Sequence, residues 1–346
     1  MSDSEFTPGL TLATGPEGAA QEWVGATGET TFAHEPVNGA MIRLYASMVE
    51  DGYPAYWEPE TAERVWGGVP SPPGMLTVWR RPLLWRPDER RAEEEELFAE
   101  IPFPAEMDTI LTVAVDTTFE RQILAGEWLN WRDEIVDVTD EKDTDIGRGH
   151  FITIETAYRD QRGRAVATNT KTIFRYDAGD TDDDVEAGGS FARGRRDVTV
   201  EESPDRAGSL SLETLSEGDP VPSYRFPVSY EKVIYDVAAT RDFYPGHNDP
   251  EFARAQGNET IFLNNIAFQG LADRLALEWA GPRWRVRDRS VQIRGAAPAG
   301  SRLTVEGDVV GVDTGGENAT VEIEGRILRD EENICPCSVT IEREQP

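Results

Sequence analysis

The sequence predicts an α+β protein made of two related units, each a helix followed by a meander of antiparallel strands. Three observations predict it: an internal repeat, a strong helical signal followed by β-prone runs, and an acidic stretch between the copies. A shift of 191 residues lays Pro36–Ala62 on Pro227–Ala253, with eight of 27 positions identical and no gap. Average residue frequencies supply about one or two such matches by chance, so the chain carries an internal duplication. Residues 177–220 are rich in Asp, Glu, Gly and Ser and read as a linker, with a short ordered piece expected at Val198–Val200. Residues 1–35 are mostly polar and form an N-terminal extension. The ordered units are therefore 36–176 and 221–346.

In the first unit a helix is expected after Pro72-Pro73-Gly74, then strands at Thr109–Asp116, Trp128–Val138, His150–Tyr158 and Ala165–Tyr176. In the second, a short helical run at Glu251–Gln256 precedes Asn264–Ala280. There Ile266, Leu271, Leu275 and Trp279 fall near helical spacing, and Gly281-Pro282 is the stop. Strands are expected at Ser290–Arg294, Arg302–Val312, Ala319–Leu328 and Ser338–Arg343, parted by turns rich in Gly, Pro or Asp. Two such units side by side can share one continuous sheet.

Apolar residues make up 38% of the 346 and aromatics 9%, enough for an ordinary core, which excludes wholesale disorder. Asp and Glu number 65 against 34 basic residues, a formal net charge of −31. Such a surface repels phosphate backbones and anionic lipid, which argues against nucleic-acid and membrane partners. No run approaches the roughly 18–20 apolar residues of a membrane span, and no secretion signal opens the sequence, so a cytoplasmic protein is expected. Lys142, Lys171 and Lys232 are the only lysines. A carboxylate-rich, lysine-poor surface suits a cytoplasm at molar salt, where the Debye length is about 3 Å and self-repulsion is screened. An acidic protein of an ordinary cell is the alternative.

Cys335 and Cys337, parted by one proline, read as two thiols in a strand, in keeping with a reducing interior. Asn258-Glu259-Thr260 and Asn318-Ala319-Thr320 match the glycosylation pattern and carry little weight without a secretion signal. No phosphate loop, dinucleotide glycine pattern or clustered metal-ligand set occurs in the sequence.

Three histidines occur. His34 lies in the polar N-terminal region and His150 at a strand start, both read as structural. His247 follows Asp242 by five residues across Pro245-Gly246, which can bring imidazole and carboxylate to one small volume. Spacing alone leaves two readings open, an acid–base pair or a turn histidine.

The surrounding residues add a resemblance. Asp242-x-x-Pro245-x-His247, then Ala253, Asn264-Asn265, Gln269-Gly270-Leu271 and Trp279-Ala280-Gly281-Pro282, resemble the MaoC-like, or R-specific, enoyl-CoA hydratase family. Within it the chain is similar to bacterial hydratases of steroid side-chain acyl-CoAs. Tyr45-Ala46, Asp51-Gly52-Tyr53-Pro54, Trp66-Gly67-Gly68 and Pro72-Pro73-Gly74-Met75 are similar to the dehydratase-like N-terminal domain that accompanies such units. The resemblance implies a double hot-dog fold, each unit a long central helix wrapped by a curved sheet. It also implies an acyl-CoA substrate, no metal or redox cofactor, and allows a homodimer of double units. Carried over by position, Asp242 and His247 are the catalytic pair, and Tyr244, Asn264 and Gly270 belong to the substrate site. Where the family pattern has asparagine before the proline this chain has Tyr244, which bears on substrate fit.

Hydration of a 2-enoyl thioester needs a base for water, a proton for C2 and a donor for the thioester oxygen. A backbone N–H at a helix N-terminus supplies the last, which points to Asn265. Asn264 and Asn265 as ordinary caps remain the alternative. The first unit has Asp51 and Tyr56 at the matching places, and a tyrosine, with a pKa near 10, is a poor base. That unit is therefore expected to shape the acyl tunnel instead, with Trp66, Trp79 and Trp85 as pocket or core residues. A hot-dog thioesterase and a non-catalytic acyl-CoA-binding subunit are the competing functions. From the charge we expect the unfolding midpoint to rise steeply between about 0.1 and 3 M KCl. A flat profile would remove the high-salt reading.

Overall fold

The repeated segments fold alike. In the computed structural model, which describes residues 11–343 apart from 17, 84, 86, 88–95, 179–207, 209 and 317, each opens with a helix begun by a side-chain cap. Helix α1 (Gly39–Met48) is capped by Asn38, which accepts the Met41 N–H at 3.0 Å. Its counterpart 191 residues on is capped by Ser229, which accepts the Lys232 N–H at 3.1 Å. Each cap satisfies one donor that a helix start cannot satisfy itself. Helices α2 (Pro54–Trp57) and α3 (Pro59–Trp66) follow α1, both with proline in the first turn. After the second-unit helix α4 (Tyr230–Thr240) come the 3-10 turn Pro245–His247 and α5 (Pro250–Ala255). Most of the expected linker, Val198–Val200 included, lies outside the described residues.

Helix α6 (Asn265–Ala280) is the centre of the second unit and is buried on nearly every side. A helix apolar all round belongs inside a domain, and its charged residues there are paired: Asp273 with Arg289 at 2.8 Å, Arg274 with Glu278 at 3.1 Å. The matching place in the first unit differs from the expected long helix. It holds a 3-10 helix of eight residues, Pro73–Arg80, after which Arg81 is already extended (φ −70°, ψ 127°). Pro82 explains the stop, because the residue before a proline is pushed out of helical conformation.

The strands form one sheet. In chain order they are β1 (Thr31–Phe32), β2 (Thr109–Phe119), β3 (Leu129–Val138), β4 (Lys142–Thr144), β5 (Gly147–Asp160), β6 (Ala165–Asp177), β7 (Pro220–Pro227), β8 (Trp284–Gln292), β9 (Arg302–Asp313), β10 (Ala319–Arg329) and β11 (Glu332–Arg343). Their order across the sheet is β1-β3-β5-β6-β2-β8-β11-β10-β9-β7. The antiparallel β2–β8 pair, with Asp116 opposite Ser290, joins the two units. The shared sheet expected from the sequence is thus present, and the antiparallel meanders and buried helix make the protein α+β.

Strands β1, β4 and β7 and the start of β8 have no counterpart among the expected strands, and for β7 and β8 the reasons are physical. Strand β8 begins at Trp284, six residues before the expected start, because Arg285 and Arg289 interrupt its apolar pattern although both are buried. Arg289 is paired inward with Asp273 and Gln269, and Arg285 bonds the Phe119 carbonyl. Strand β7 contains three prolines, PVPSYRFP, which an edge position tolerates.

The units also meet closely where Gly74 passes Gly270. A Cβ on Gly74 would lie 2.2 Å from Tyr45 Oη and 3.1 Å from the Gly270 nitrogen. Tyr45 Oη itself donates to the Ile266 carbonyl of α6 at 2.8 Å, so it cannot retreat without losing a buried bond. Gly74→Ala should therefore destabilise the protein by about 1–3 kcal/mol, read from denaturant unfolding. An unchanged midpoint would mean that the crossing relaxes freely.

Candidate active site

Asp242 enters the site through a backbone turn. Arg241, at the end of α4, has φ 57°, the left-handed region that non-glycine residues seldom occupy. Its guanidinium bonds Glu35 and the Arg81 carbonyl, which hold it there. Past the turn, Asp242 Oδ1 faces the Tyr244 N–H at 3.4 Å, and the Pro245–His247 turn returns the histidine to the same place. Oδ2 of Asp242 and Nε2 of His247 lie 3.9 Å apart, with both side chains nearly buried.

His247 Nδ1 is 2.8 Å from the Phe262 carbonyl oxygen. A carbonyl only accepts, so Nδ1 carries the hydrogen and the neutral ring presents a bare Nε2 toward Asp242. Burial pushes the His247 pKa below its ordinary value, against the raising effects of Asp242 and the Phe262 bond. Burial acts to raise Asp242, yet Arg81 and then His247 outweigh it and hold the carboxyl below the usual range. The pair at neutral pH is therefore a carboxylate beside a neutral imidazole. A water set between the two atoms donates one hydrogen to each, which is how a base is aimed at a water proton.

The Phe262 bond also ties His247 to the start of α6. Asn265 is the first residue of that helix, three residues on, a span of at most about 11 Å. Helix starts leave N–H donors unmet and carry a partial positive charge. Asn264, expected in the substrate site, is 1% exposed and holds the helix instead. Its Oδ1 accepts the Ala267 N–H at 3.0 Å and its Nδ2 donates to Thr240 Oγ1 at 2.7 Å. Gly270, also expected there, is the packing glycine of the crossing: a Cβ would lie 2.4 Å from Tyr45 Oη. Tyr244 is 41% exposed and meets His247 edge-on at 5.4 Å, so it remains at the site's open side.

Two site residues had no signal in the sequence. Arg81, from the first unit, places Nη2 3.2 Å from Asp242 Oδ2. Asp236, fully buried on α4, accepts the Asn264 N–H at 2.9 Å, and burial, with Asp242 adding to it, pushes its pKa well up. Only the packing of separate elements brings either to the pair.

The first unit repeats the scaffold with Tyr56 where the second has His247. Asp51 accepts the Tyr53 N–H at 2.8 Å, and Tyr56 is 2% exposed, its ring 4.8 Å from that of Tyr53. Burial drives the Tyr56 hydroxyl still further above its ordinary pKa. Trp66 and Trp79 donate to Tyr53 Oη and Ser71 Oγ, both at 3.0 Å, as core residues do, while Trp85 is exposed. His150 Nδ1 lies 2.8 Å from the Thr139 carbonyl, away from the pair. Cys335 and Cys337 are buried free thiols, the first pushed up to about 12 by burial, and no metal-binding cluster exists among the described residues.

A family model described as the FAS1-like dehydratase domain region matches residues 22–169. The 3-oxo-4,17-pregnadiene-20-carboxyl-CoA hydratase beta subunit of Mycobacterium tuberculosis is 35% identical over 96 residues, which cover 27% of this chain and 71% of that protein. A solved structure described as a MaoC-like dehydratase superposes with a TM-score of 0.69 at 19% identity, covering 94% of this chain and 100% of the other. The chain belongs to the MaoC-like family. A probable enoyl-CoA hydratase alpha subunit of Thermomonospora curvata is 34% identical over 164 residues, 45% of this MaoC-like chain and 50% of that protein. The match thus spans about half the length of that relative. A Mycobacterium tuberculosis protein described as a double hotdogfold has a TM-score of 0.61 at 13% identity over 92% of this chain and 96% of its own. The two units of this MaoC-like protein are a double hot-dog.

Burial pushes the Asp51 carboxyl up to about 7, against an unfolded value near 4. Its neutral form therefore adds stability that is full below about pH 4 and lost as pH rises through about 7. Asp51→Asn should be more stable than the parent above that range, by up to about 4 kcal/mol, and indistinguishable in slope elsewhere. Unfolding midpoints from acid to mildly alkaline pH check this. Equal pH slopes in both proteins would show that Asp51 ionises freely in the fold.

Proposed function

We propose that this chain adds water reversibly to a trans-2-enoyl-CoA, giving a 3-hydroxyacyl-CoA, with Asp242 and His247 as the acid–base pair. The bare Nε2 of His247 facing the Asp242 carboxylate carries the reading. Water held between them gives a proton to Nε2 as its oxygen attacks C3. Charge then develops on the thioester oxygen, where the Asn265 N–H and the α6 dipole stabilise it. The pair returns a proton to C2, so its own protonation is unchanged over a turnover. The R configuration of the product follows the family resemblance.

The relatives named as hydratase alpha and beta subunits support a further part of the proposal. Here one chain carries both units, one with the pair and one without, and two such chains form the expected homodimer. An acyl tunnel shaped by the first unit would take a bulky acyl chain, the class named in the mycobacterial relatives. The carboxylate-rich surface suits a halophilic cytoplasm.

Steady-state hydration kinetics test the assignment. Asp242→Asn and His247→Gln should each lower kcat by about 10²–10⁴-fold with little change in KM, and the double variant should be little worse than the poorer single one. Asp51→Asn and Tyr56→Phe should keep turnover within about tenfold, since no base sits in their unit. Loss of activity in Tyr56→Phe with full activity in His247→Gln would place the site in the other unit. Release of free CoA thiol without hydration would replace the reading by a thioesterase.

A further inference from the structure

We propose that Arg81, supplied by the unit that lacks the acid–base pair, is the positioning residue of the pair in the other unit, fixing the Asp242 carboxylate and setting the charge that His247 faces. The inference rests on the hydration reading. Arg81 is presented by the end of the Pro73–Arg80 helix, with its backbone extended ahead of Pro82. Its carbonyl accepts from Arg241 Nη1 at 3.4 Å, and its Nη2 reaches Asp242 Oδ2 at 3.2 Å. The residue is thus held at both ends by two consecutive residues of the second unit. Both side chains of the ion pair are largely shielded, at 17% and 9% exposure, so the interaction is less screened than a surface pair.

The oxygen that Arg81 bonds is the one that faces His247 Nε2. With Oδ1 turned to the Tyr244 N–H, the guanidinium fixes the rotation of the carboxylate about its own axis. Among the described residues, the other charged and titratable groups near the pair include Lys171 from β6, Asp236 from α4, Arg241 and Tyr244. Lys171 is engaged by Glu96 at 3.2 Å, so among the described residues Arg81 is the cation bonded to Asp242 itself. Removing the guanidinium would leave Asp242 buried near Asp236 with less to keep it ionised. It would also take a repelling charge away from protonated His247. Both changes favour a proton on the pair at rest, which then cannot take one from water.

The full chain with Arg81→Gln, Arg81→Met or Arg81→Lys tests this. With three histidines in the sequence, the His247 ring can be followed by NMR titration and assigned with His247→Gln. Its midpoint should rise by roughly half to one pH unit in the Gln and Met variants and stay within about 0.3 in Lys. The acid limb of kcat/KM should move with it. The titration needs no substrate, so a parent protein that hydrates no enoyl-CoA would sink the hydration reading while this measurement still decides the role of Arg81. Unmoved midpoints in both uncharged variants would overturn the proposal. So would failure of both to fold, which would make Arg81 a structural pin alone.

Discussion

A helix buried on every side must have its terminal backbone groups met inside the protein, and α6 meets that demand through the last turn of α4. Asp236 takes the Asn264 N–H and Thr240 takes its side-chain amide, while Asn264 caps the helix. Thr240 stands directly before Arg241 and Asp242, and Asp236 one helical turn earlier, so fixing the helix start also fixes the carboxylate. His247 closes the circuit by bonding Phe262, two residues before the cap. Carboxylate, imidazole and helix start are thus one hydrogen-bonded ring of backbone and side chains. None of the three can shift alone without leaving a buried polar group unmet, a loss on the order of 1–3 kcal/mol.

The duplication shows how closely the first unit keeps this ring while one of its members differs. Tyr45 stands 191 residues before Asp236 and reaches the same helix, donating to the Ile266 carbonyl. Asp51 keeps the place of Asp242 and its bond to the backbone two residues on. With Tyr56 in place of His247, the unit holds a buried carboxyl and a buried phenol, two groups that both favour their protonated forms. The scaffold persists because it carries the core and the sheet, which both units need. What the first unit gives to the site instead is Arg81, at the end of a helix that Pro82 cuts short.

Legibility from sequence followed the range of the interactions. Strands such as β3, β9 and β10 were readable because alternating burial leaves a local pattern. The Asp242–His247 spacing was readable because one tight turn joins the two residues. Strand β8 was half hidden, since Arg285 and Arg289 are inward-facing charges whose partners lie on other elements. Asn264 and Gly270 drew a functional reading from their neighbourhood in sequence, while their burial against Thr240 and Tyr45 is tertiary. Arg81 lies 161 positions from the carboxylate it bonds, and a lone arginine before a proline carries no local mark of that task.

The same inward use of arginine bears on the charge of the whole molecule. Arg175, Arg274, Arg285 and Arg289 are all buried, and Arg175 is bonded to three backbone carbonyls, those of Met107, Ile101 and Ala13. A planar fork of five donors suits that task, which a lysine ammonium on a flexible stem performs less well. Scarcity of lysine therefore has two physical sides: few ammonium groups on the surface, and guanidinium groups as internal pins. Buried aspartates (Asp51, Asp133, Asp160, Asp236, Asp242 and Asp273) offset these buried cations, so the net charge of −31 is carried essentially by the outer surface. The proposed substrate, a thioester of coenzyme A that itself carries phosphates, would approach against that field. Salt that screens the repulsion within the protein screens the repulsion toward such a substrate as well.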